Sequence, residues 1–214
     1  MARVLVVGGG IIGTMHAYLA IAAGHEVVQV DRDPIAQSAS VRNFGLIWVS
    51  GREVGAELTL ALRARELWEE IGNDVGTIGF RPNGSLTIAS NAAEWEVMNR
   101  AAAMPDALLR GFELLTVDEV QKIEPSLQGK FIGALLCAKD AAVEPPLLLT
   151  GLRTYLEAAP GYQWIPNYEV VEYSQNGSGH CISDSAGQKL AGDFLVICAG
   201  SAHGGFLSDF LEKA

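Results

Sequence analysis

Residues 4–33 read VLVVGGGIIGTMHAYLAIAAGHEVVQVDRD, and few folds accommodate such a run. RVLVV at 3–7 is a short apolar strand, residues 11–23 are an alanine-rich helix stopped by Gly24, and EVVQVD at 26–31 is a second strand. Strand, glycine turn, helix and strand make a βαβ unit. Gly8, Gly10 and Gly13 fit the spacing G-x-G-x-x-G, which carries meaning because a strand precedes it and a helix follows. Gly8 permits the tight turn, Gly10 presents no side chain to a pyrophosphate, and Gly13 lets helix and strand pack closely. Free N–H groups at the helix start, around Ile11 and Ile12, and the positive end of the helix dipole favour phosphate. No Asp or Glu occurs from Met1 to Gly24 to repel it. Asp31 ends the second strand, 23 residues after Gly8, where a carboxylate accepts hydrogen bonds from ribose hydroxyls. Arg32 beside it suggests a ligand with a 2′-phosphate, but Asp31 would repel that phosphate, so Arg32 reads as a solvated side chain. A plain βα turn of some other α/β protein explains fewer of these features. The unit itself suits FAD and NAD alike.

The rest of the chain is interleaved rather than repetitive. Residues 34–52 lack a clean period and read as an ordered loop. Residues 53–71 carry helical spacing, with Leu58, Leu62, Leu67 and Ile71 on one face and Trp68 at its edge. TIGFRPNGSLTIAS predicts a hairpin turning at Pro82-Asn83-Gly84, and residues 91–103 return to helix. In TVDEVQKIEP, Thr116 and Glu119 have capping-box spacing and Pro125 ends the helix. GALLCA is a strand, and EPPLLLTGLRTYLEAAPG is a helix with prolines in its first turn. YEVVEY, GHCISDS and DFLVICAG follow as strands, separated by the turn dipeptides Asn176-Gly177 and Ala186-Gly187.

Composition removes several classes of function. The net charge is −10 and the 15 Lys and Arg residues never cluster, which disfavours nucleic acid and anionic membranes as partners. No apolar run reaches the ~18 residues of a membrane span. The glycines at 8–13 argue against a signal peptide, so the expected location is cytoplasmic. Cys137, Cys181 and Cys198 lie far apart in apolar runs. They read as buried thiols, with no metal site expected.

In a nicotinamide enzyme, strand–helix alternation would continue after Asp31. Here the strand runs into DPIAQSASVRNFGLIWVSGR. This stretch resembles the glycine/sarcosine/D-amino-acid oxidase family of FAD-dependent oxidoreductases, in which a Ser-rich segment followed by Arg/Asn and Gly passes under the cofactor. Ser38, Ser40, Arg42, Asn43, Phe44 and Gly45 match it. FRPNGSLTIASNAAEWEVM resembles the family's hairpin and helix in the substrate region. GFELLTVDEVQKIEPSL, GALLCAKDAAVEPPLLLTGLRTYLEA and DFLVICAGSA match later segments in order, and the RNFG run resembles a branch tied to aminophosphonate breakdown.

The resemblance implies an α/β chain. A Rossmann-like FAD-binding domain (1–52 and 143–214) would be interleaved with part of an α+β substrate region (53–142). Ser38, Ser40 and Arg42 would contact pyrophosphate. Phe44 and Gly45 would approach the flavin, the Val170 main chain would hold adenine, and Ala199-Gly200 would lie against the cofactor. With Gly8, Gly10, Ile11, Ile12, Gly13, Asp31, Arg32 and Asn43, these complete the expected FAD set. The implied reaction is hydride transfer to flavin from the carbon beside nitrogen in a small amine or amino acid. Oxygen or another electron acceptor then reoxidises the cofactor. Family members are much longer, so the resemblance also implies that the C-terminal flavin and substrate contacts are missing. That leaves two alternatives open, a catalytically impaired FAD-binding fragment and, further off, an NAD(P)-dependent dehydrogenase. Open sheet edges would favour a homo-oligomer. No side-chain nucleophile is needed. His16 reads as a helix residue, His25 and His180 as peripheral, and His203 as a surface residue after the Ala-Gly turn. Asp33 with Pro34 starts the next short helix. Arg42 and Arg52 are the candidates for a substrate carboxylate or phosphonate. Arg52 fits a surface pair better, and Trp48 fits an apolar strand.

Overall fold

A computed structural model describes residues 1–177 and 179–201. From the N-terminus the elements are β1 (Arg3–Val7), α1 (Ile11–Ala22), β2 (Glu26–Val30), a 3-10 turn (Ala39–Val41), β3 (Leu46–Ile47), α2 (Ala56–Val75) and β4 (Ser85–Ala89). Next come α3 (Ala92–Ala102), α4 (Ala107–Arg110), β5 (Phe112–Thr116), α5 (Val117–Ile123), β6 (Gly133–Cys137) and β7 (Ala141–Ala142). The chain closes with α6 (Pro145–Glu157), β8 (Tyr162–Ile165), β9 (Val170–Asn176), β10 (Gly179–Asp184), β11 (Lys189–Gly192) and β12 (Phe194–Ile197). It divides into two compact units, residues 1–43 with 145–214, and residues 44–144.

The first unit is built on a four-stranded sheet in the order β12-β1-β2-β8, parallel throughout. Alternation along the strands assigns each side chain to a face. Val4, Val6 and Val27 point to the helical side, where Ala17 of α1 and Leu156 of α6 complete a core. Leu5, Val28 and Val30 point the other way, onto Tyr168 and Ile182. The latter side is covered by the antiparallel meander β9-β10-β11. Both faces are thus buried, which is why β1 and β2 read as nearly unbroken apolar runs. β1 lies between β2 and β12, so chain connections leave it in both directions. A crevice opens at such a point, beyond the C-terminal ends of the strands.

The second unit contains the antiparallel sheet β4-β6-β5 and the small pair β3-β7. Asn91 caps α3 by accepting from the Glu94 N–H at 3.1 Å, and α5 begins in the capping box of Thr116 and Glu119. The expected hairpin at Pro82-Asn83-Gly84 does not form. β4 pairs with β6, while Arg81 bridges Ala142 through two backbone hydrogen bonds of 2.7 and 3.0 Å. Gly79 in the left-handed region and Pro82, which lacks an N–H, break the first arm.

Buried charges tie residues 49–52 into this unit. Arg110 donates to Asp106 at 2.5 Å and to the carbonyls of Val49, Ser50 and Arg52 at 2.9, 3.0 and 2.7 Å. Asp140 accepts from the Val49 and Ser50 N–H groups at 2.6 and 2.9 Å and from the Ser85 hydroxyl at 2.6 Å. Burial opposes its ionisation, yet the hydrogen bonds from Ser85, Ser50 and Val49 outweigh burial and hold its pKa below the usual range.

Three outcomes follow. Asp140→Ala leaves three inward-facing donors without their acceptor, at about 1–3 kcal/mol for each one that finds no other partner. We expect a loss of at least about 2 kcal/mol by denaturant midpoint. A depressed carboxylate pKa stabilises above the unfolded value, near about 3.9, and that stability is lost as pH falls through the folded value. Asp140→Asn should therefore flatten the acid limb of the stability curve, and an unchanged limb would refute the assignment. In α1, a Cβ on Gly13 would overlap the Gly8 carbonyl oxygen. Gly13→Ala should thus lower the melting temperature, although the same change in an open helix gains about 0.5–1 kcal/mol.

Candidate functional site

The turn after β1 is held from three sides. Gly8 adopts φ of 121°, a conformation natural only to glycine, and a Cβ there would overlap the Cys198 carbonyl. Its N–H donates to Val30 O at 2.8 Å, and the Cys198 N–H donates to Val7 O at 2.7 Å. The Gly9 N–H donates to Asp31 Oδ2 at 2.5 Å, and the other carboxylate oxygen accepts from the Asp33 N–H at 2.9 Å. Asp31 is therefore fixed by two backbone donors, and each oxygen keeps a further lone pair for a ligand.

Gly10 is the N-cap of α1. Its missing side chain has a further consequence inside the chain. Ser40 Oγ stands 2.9 Å from where a Gly10 Cβ would be and accepts the Ile11 N–H at 3.0 Å. Gly10 makes room for the chain's own hydroxyl, which still has a proton to donate outward. The N–H groups of Gly10 and Ile12 have no partner among the described residues. With no acidic residue in the first turn, this helix end retains its attraction for an anion.

These groups open on a cleft of about 720 Å³ within the first unit. Gly8, Gly10, Ile11 and Ile12 line it, together with Asp31, Arg32, Ser38, Ser40 and Asn43. Val170, Ala199 and Gly200 line it as well, and the Tyr168 N–H, two residues before Val170, donates to Asp31 O at 2.9 Å. Gly13 lies buried beneath the turn. Arg42, Phe44 and Gly45 are not among the lining residues. Arg42 is exposed at the end of the 3-10 turn. In the second unit, Phe44 is 89% exposed, and Gly45 is buried and accepts the Val143 N–H at 2.9 Å. Arg52 pairs with Glu57 at 3.1 Å and lies over Trp48, all three about half exposed. His16 is exposed and bonds to Ile12 O through Nδ1, His25 accepts from the Ala2 N–H, and His180 pairs with Tyr173. His203 lies outside the described residues. No group of His, Cys, Asp and Glu suited to a metal occurs among the described residues, and none of their helices is long and apolar enough to cross a membrane.

Sequence reasoning missed part of the wall and most of its support. Tyr168, Ile182, Leu195 and Ile197 give the cleft an apolar side. Burial pushes the Tyr168 phenol up to about 12, and it donates to Gln188 O at 2.6 Å. Cys198 also lines the cleft, and burial raises its thiol pKa, so it stays a protonated wall residue. Beneath the turn, Gln29 is fully buried and donates to Gly8 O at 2.8 Å. A lone amide inside EVVQV was the signal for it.

The family model described as FAD dependent oxidoreductase (DAO) matches residues 3–213. An opine oxidase subunit of Rhizobium meliloti is 25% identical over 206 residues, covering 91% of this chain and 55% of the relative. D-amino acid dehydrogenase 3 of Mesorhizobium japonicum is 24% identical, over 94% of this chain and 61% of its own. Among solved structures, glycine oxidase from Bacillus cereus superposes with a TM-score of 0.81 at 27% identity, covering 98% of this chain and 58% of that one. The chain thus spans a little over half the length of these relatives. The parallel sheet, the glycine turn and the match from residue 3 to residue 213 agree, and the chain belongs to the FAD-dependent oxidoreductase (DAO) family.

Proposed function

We propose that the cleft of the first unit binds FAD and that the protein serves oxidation of the C–N bond of a small amine or amino acid. The observation that carries this reading is the pairing, in one cleft, of an anion-seeking helix end with a fixed carboxylate. The unpaired N–H groups of Gly10 and Ile12 and the Ser40 hydroxyl face one region of the cleft. They suit a pyrophosphate, which would gain both hydrogen bonds and the helix dipole. Asp31, held by Gly9 and Asp33, would accept the ribose hydroxyls and disfavour a 2′-phosphate. The Val170 main chain would meet adenine. Ala199 and Gly200 would back the cofactor, with Ile197 and Leu195 keeping water from that wall.

When bound, FAD supplies the hydride acceptor for oxidation at the carbon beside nitrogen. This chain's contribution is to bind and orient it. Arg42 would contact the pyrophosphate, as its match to the family's Ser-rich segment suggests. The relatives' names include an opine oxidase, a D-amino acid dehydrogenase and a glycine oxidase, which supports an amino acid or an N-substituted amino acid as the substrate class. Oxygen or another acceptor would take the electrons, and the site of action would be the cytoplasm.

Purified protein should be yellow or take up added FAD with quenching of flavin fluorescence. A colourless protein that binds NADH instead would refute the reading. Removal of Asp31 loses hydrogen bonds to a charged group, each worth about 1.5–3 kcal/mol. Asp31→Ala should therefore weaken FAD binding at least about tenfold, with Asp31→Asn intermediate. Under anaerobic conditions, glycine, sarcosine, a D-amino acid or aminoethylphosphonate should bleach the flavin band. Bound flavin that none of them bleaches would restrict this chain to cofactor binding.

A further inference from the structure

We infer that Gln29, through a hydrogen-bonded group of side chains beneath the glycine turn, orients the turn's peptide groups, the Gly9 N–H onto Asp31 and the Gly10 N–H into the cleft, and so sets the cleft's affinity for an anionic ligand. The ligand's identity as FAD rests on the proposed function. The positioning itself rests only on the geometry of this chain.

The Gln29 amide is saturated. Its Nε2 donates to Gly8 O at 2.8 Å and to Thr14 Oγ1 at 3.3 Å. Its Oε1 accepts from Arg153 Nη1 at 2.9 Å and from the Tyr162 hydroxyl at 2.8 Å. A primary amide has two donor hydrogens and two acceptor lone pairs, and all four are used. Flipping the amide would set its oxygen against the Gly8 carbonyl and its NH₂ against the guanidinium, so its orientation is fixed. Burial pushes the Tyr162 phenol up to about 12, so it remains a donor at neutral pH. Arg153 also donates to the Tyr162 oxygen, and its guanidinium lies 3.5 Å from the centroid of the Trp164 ring. The far side of the network is therefore rigid.

Thr14 extends the network by one residue. Having accepted from Gln29, its hydroxyl donates to Gly9 O at 3.3 Å. The carbonyls of Gly8 and Gly9 are thus both drawn inward from below. In a trans peptide the N–H points opposite to the C=O of the same unit. Holding the Gly8 carbonyl inward turns the Gly9 N–H outward, where it meets Asp31. Holding the Gly9 carbonyl inward turns the Gly10 N–H outward, and Gly10 lines the cleft. Glycines supply none of this order themselves, because their backbones are the least restrained of any residue. A buried amide that uses all its valences on a glycine turn is a positioning residue, and a leucine of similar volume would have filled the space without directing the peptides.

The test uses the full chain and amide hydrogen exchange followed by NMR, with FAD titrated separately. Gln29→Glu keeps acceptors for Arg153 and Tyr162 but has no donor for Gly8 O, and Gln29→Leu removes both sides. In each variant we expect exchange at the Gly8, Gly9 and Ile11 amides to accelerate at least about tenfold, the loss of roughly one net hydrogen bond. Leu5 and Val28 should change far less, and FAD affinity should fall about tenfold. Thr14→Val should raise exchange at the turn more weakly, and serves if a Gln29 variant folds poorly. Exchange rising equally at Leu5 and Val28 would overturn the inference in favour of a merely structural role. So would unchanged exchange at the turn in Gln29→Glu. Faster exchange at the turn with undiminished FAD affinity would overturn the link to binding. Wild-type protein that takes up no FAD would refute the proposed function, while the exchange data would still decide the role of Gln29.

Discussion

The carbonyl oxygen of Gly8 sits where a Cβ on Gly13 would be, and it receives the amide of Gln29. That close approach sets the distance between α1 and β1. Because the helix starts so near the strand end, its first N–H groups arrive at the edge of the sheet rather than above solvent. The same turn brings Gly9 to the Asp31 carboxylate, so the anion-attracting end of α1 and the acid ending β2 belong to one rigid piece. Larger residues at Gly8 or Gly13 would separate them, and neither sheet order nor core packing could restore the relation.

The two units are stabilised by different chemistry. In the first, apolar side chains alternate between two faces of a parallel sheet, and each face has its own cover, helices on one side and a meander on the other. Its one buried amide in β2 serves the turn. In the second, buried charges do much of the organising. Arg110 gathers three carbonyls of residues 49–52, and Asp140 takes the N–H groups of Val49 and Ser50. An irregular segment has no ladder partner for its backbone polar groups, so side-chain ions supply what a sheet would have given. This is why residues 44–52, which read as a loop without periodicity, belong to the second unit.

What was legible in the sequence was local. Gly8, Gly10, Gly13 and Asp31 declare the turn because all four lie within one βαβ unit, and Thr116 with Glu119 declares the start of α5. Features that depend on distant partners were not legible. The strand β8 hides in YQWI, a run of four residues between Pro160-Gly161 and Pro166 that becomes a strand by pairing with β2. The hairpin at Pro82-Asn83-Gly84 had correct turn residues, but β6 competed successfully for β4. Gln29 was visible as a polar residue in an apolar strand, yet its meaning lay 124 residues away at Arg153. Ile182 and Tyr168 line the cleft only because a meander folds over the sheet, and nothing in their own neighbourhood announces it.

The cleft combines polar and apolar lining, and the topology explains why. β1 sits between β2 and β12, so the loops leaving the sheet diverge on either side of its C-terminal end. Toward β2 the chain contributes the carboxylates of Asp31 and Asp33 and the hydroxyls of Ser38 and Ser40. Toward β12 it contributes Leu195, Ile197 and Ala199, with Ile182 from the meander. The anion-seeking N-terminus of α1 lies between the two. A ligand that matched this lining would carry hydroxyls for Asp31, negative charge for the end of α1 and an apolar surface for the rest. A nucleotide lacking the third feature would leave the apolar side wet, and an apolar ligand lacking the first would leave Asp31 without a ligand donor. An extended molecule with hydroxyls, negative charge and an apolar surface would satisfy all three under the proposed function, independently of any residue that performs chemistry.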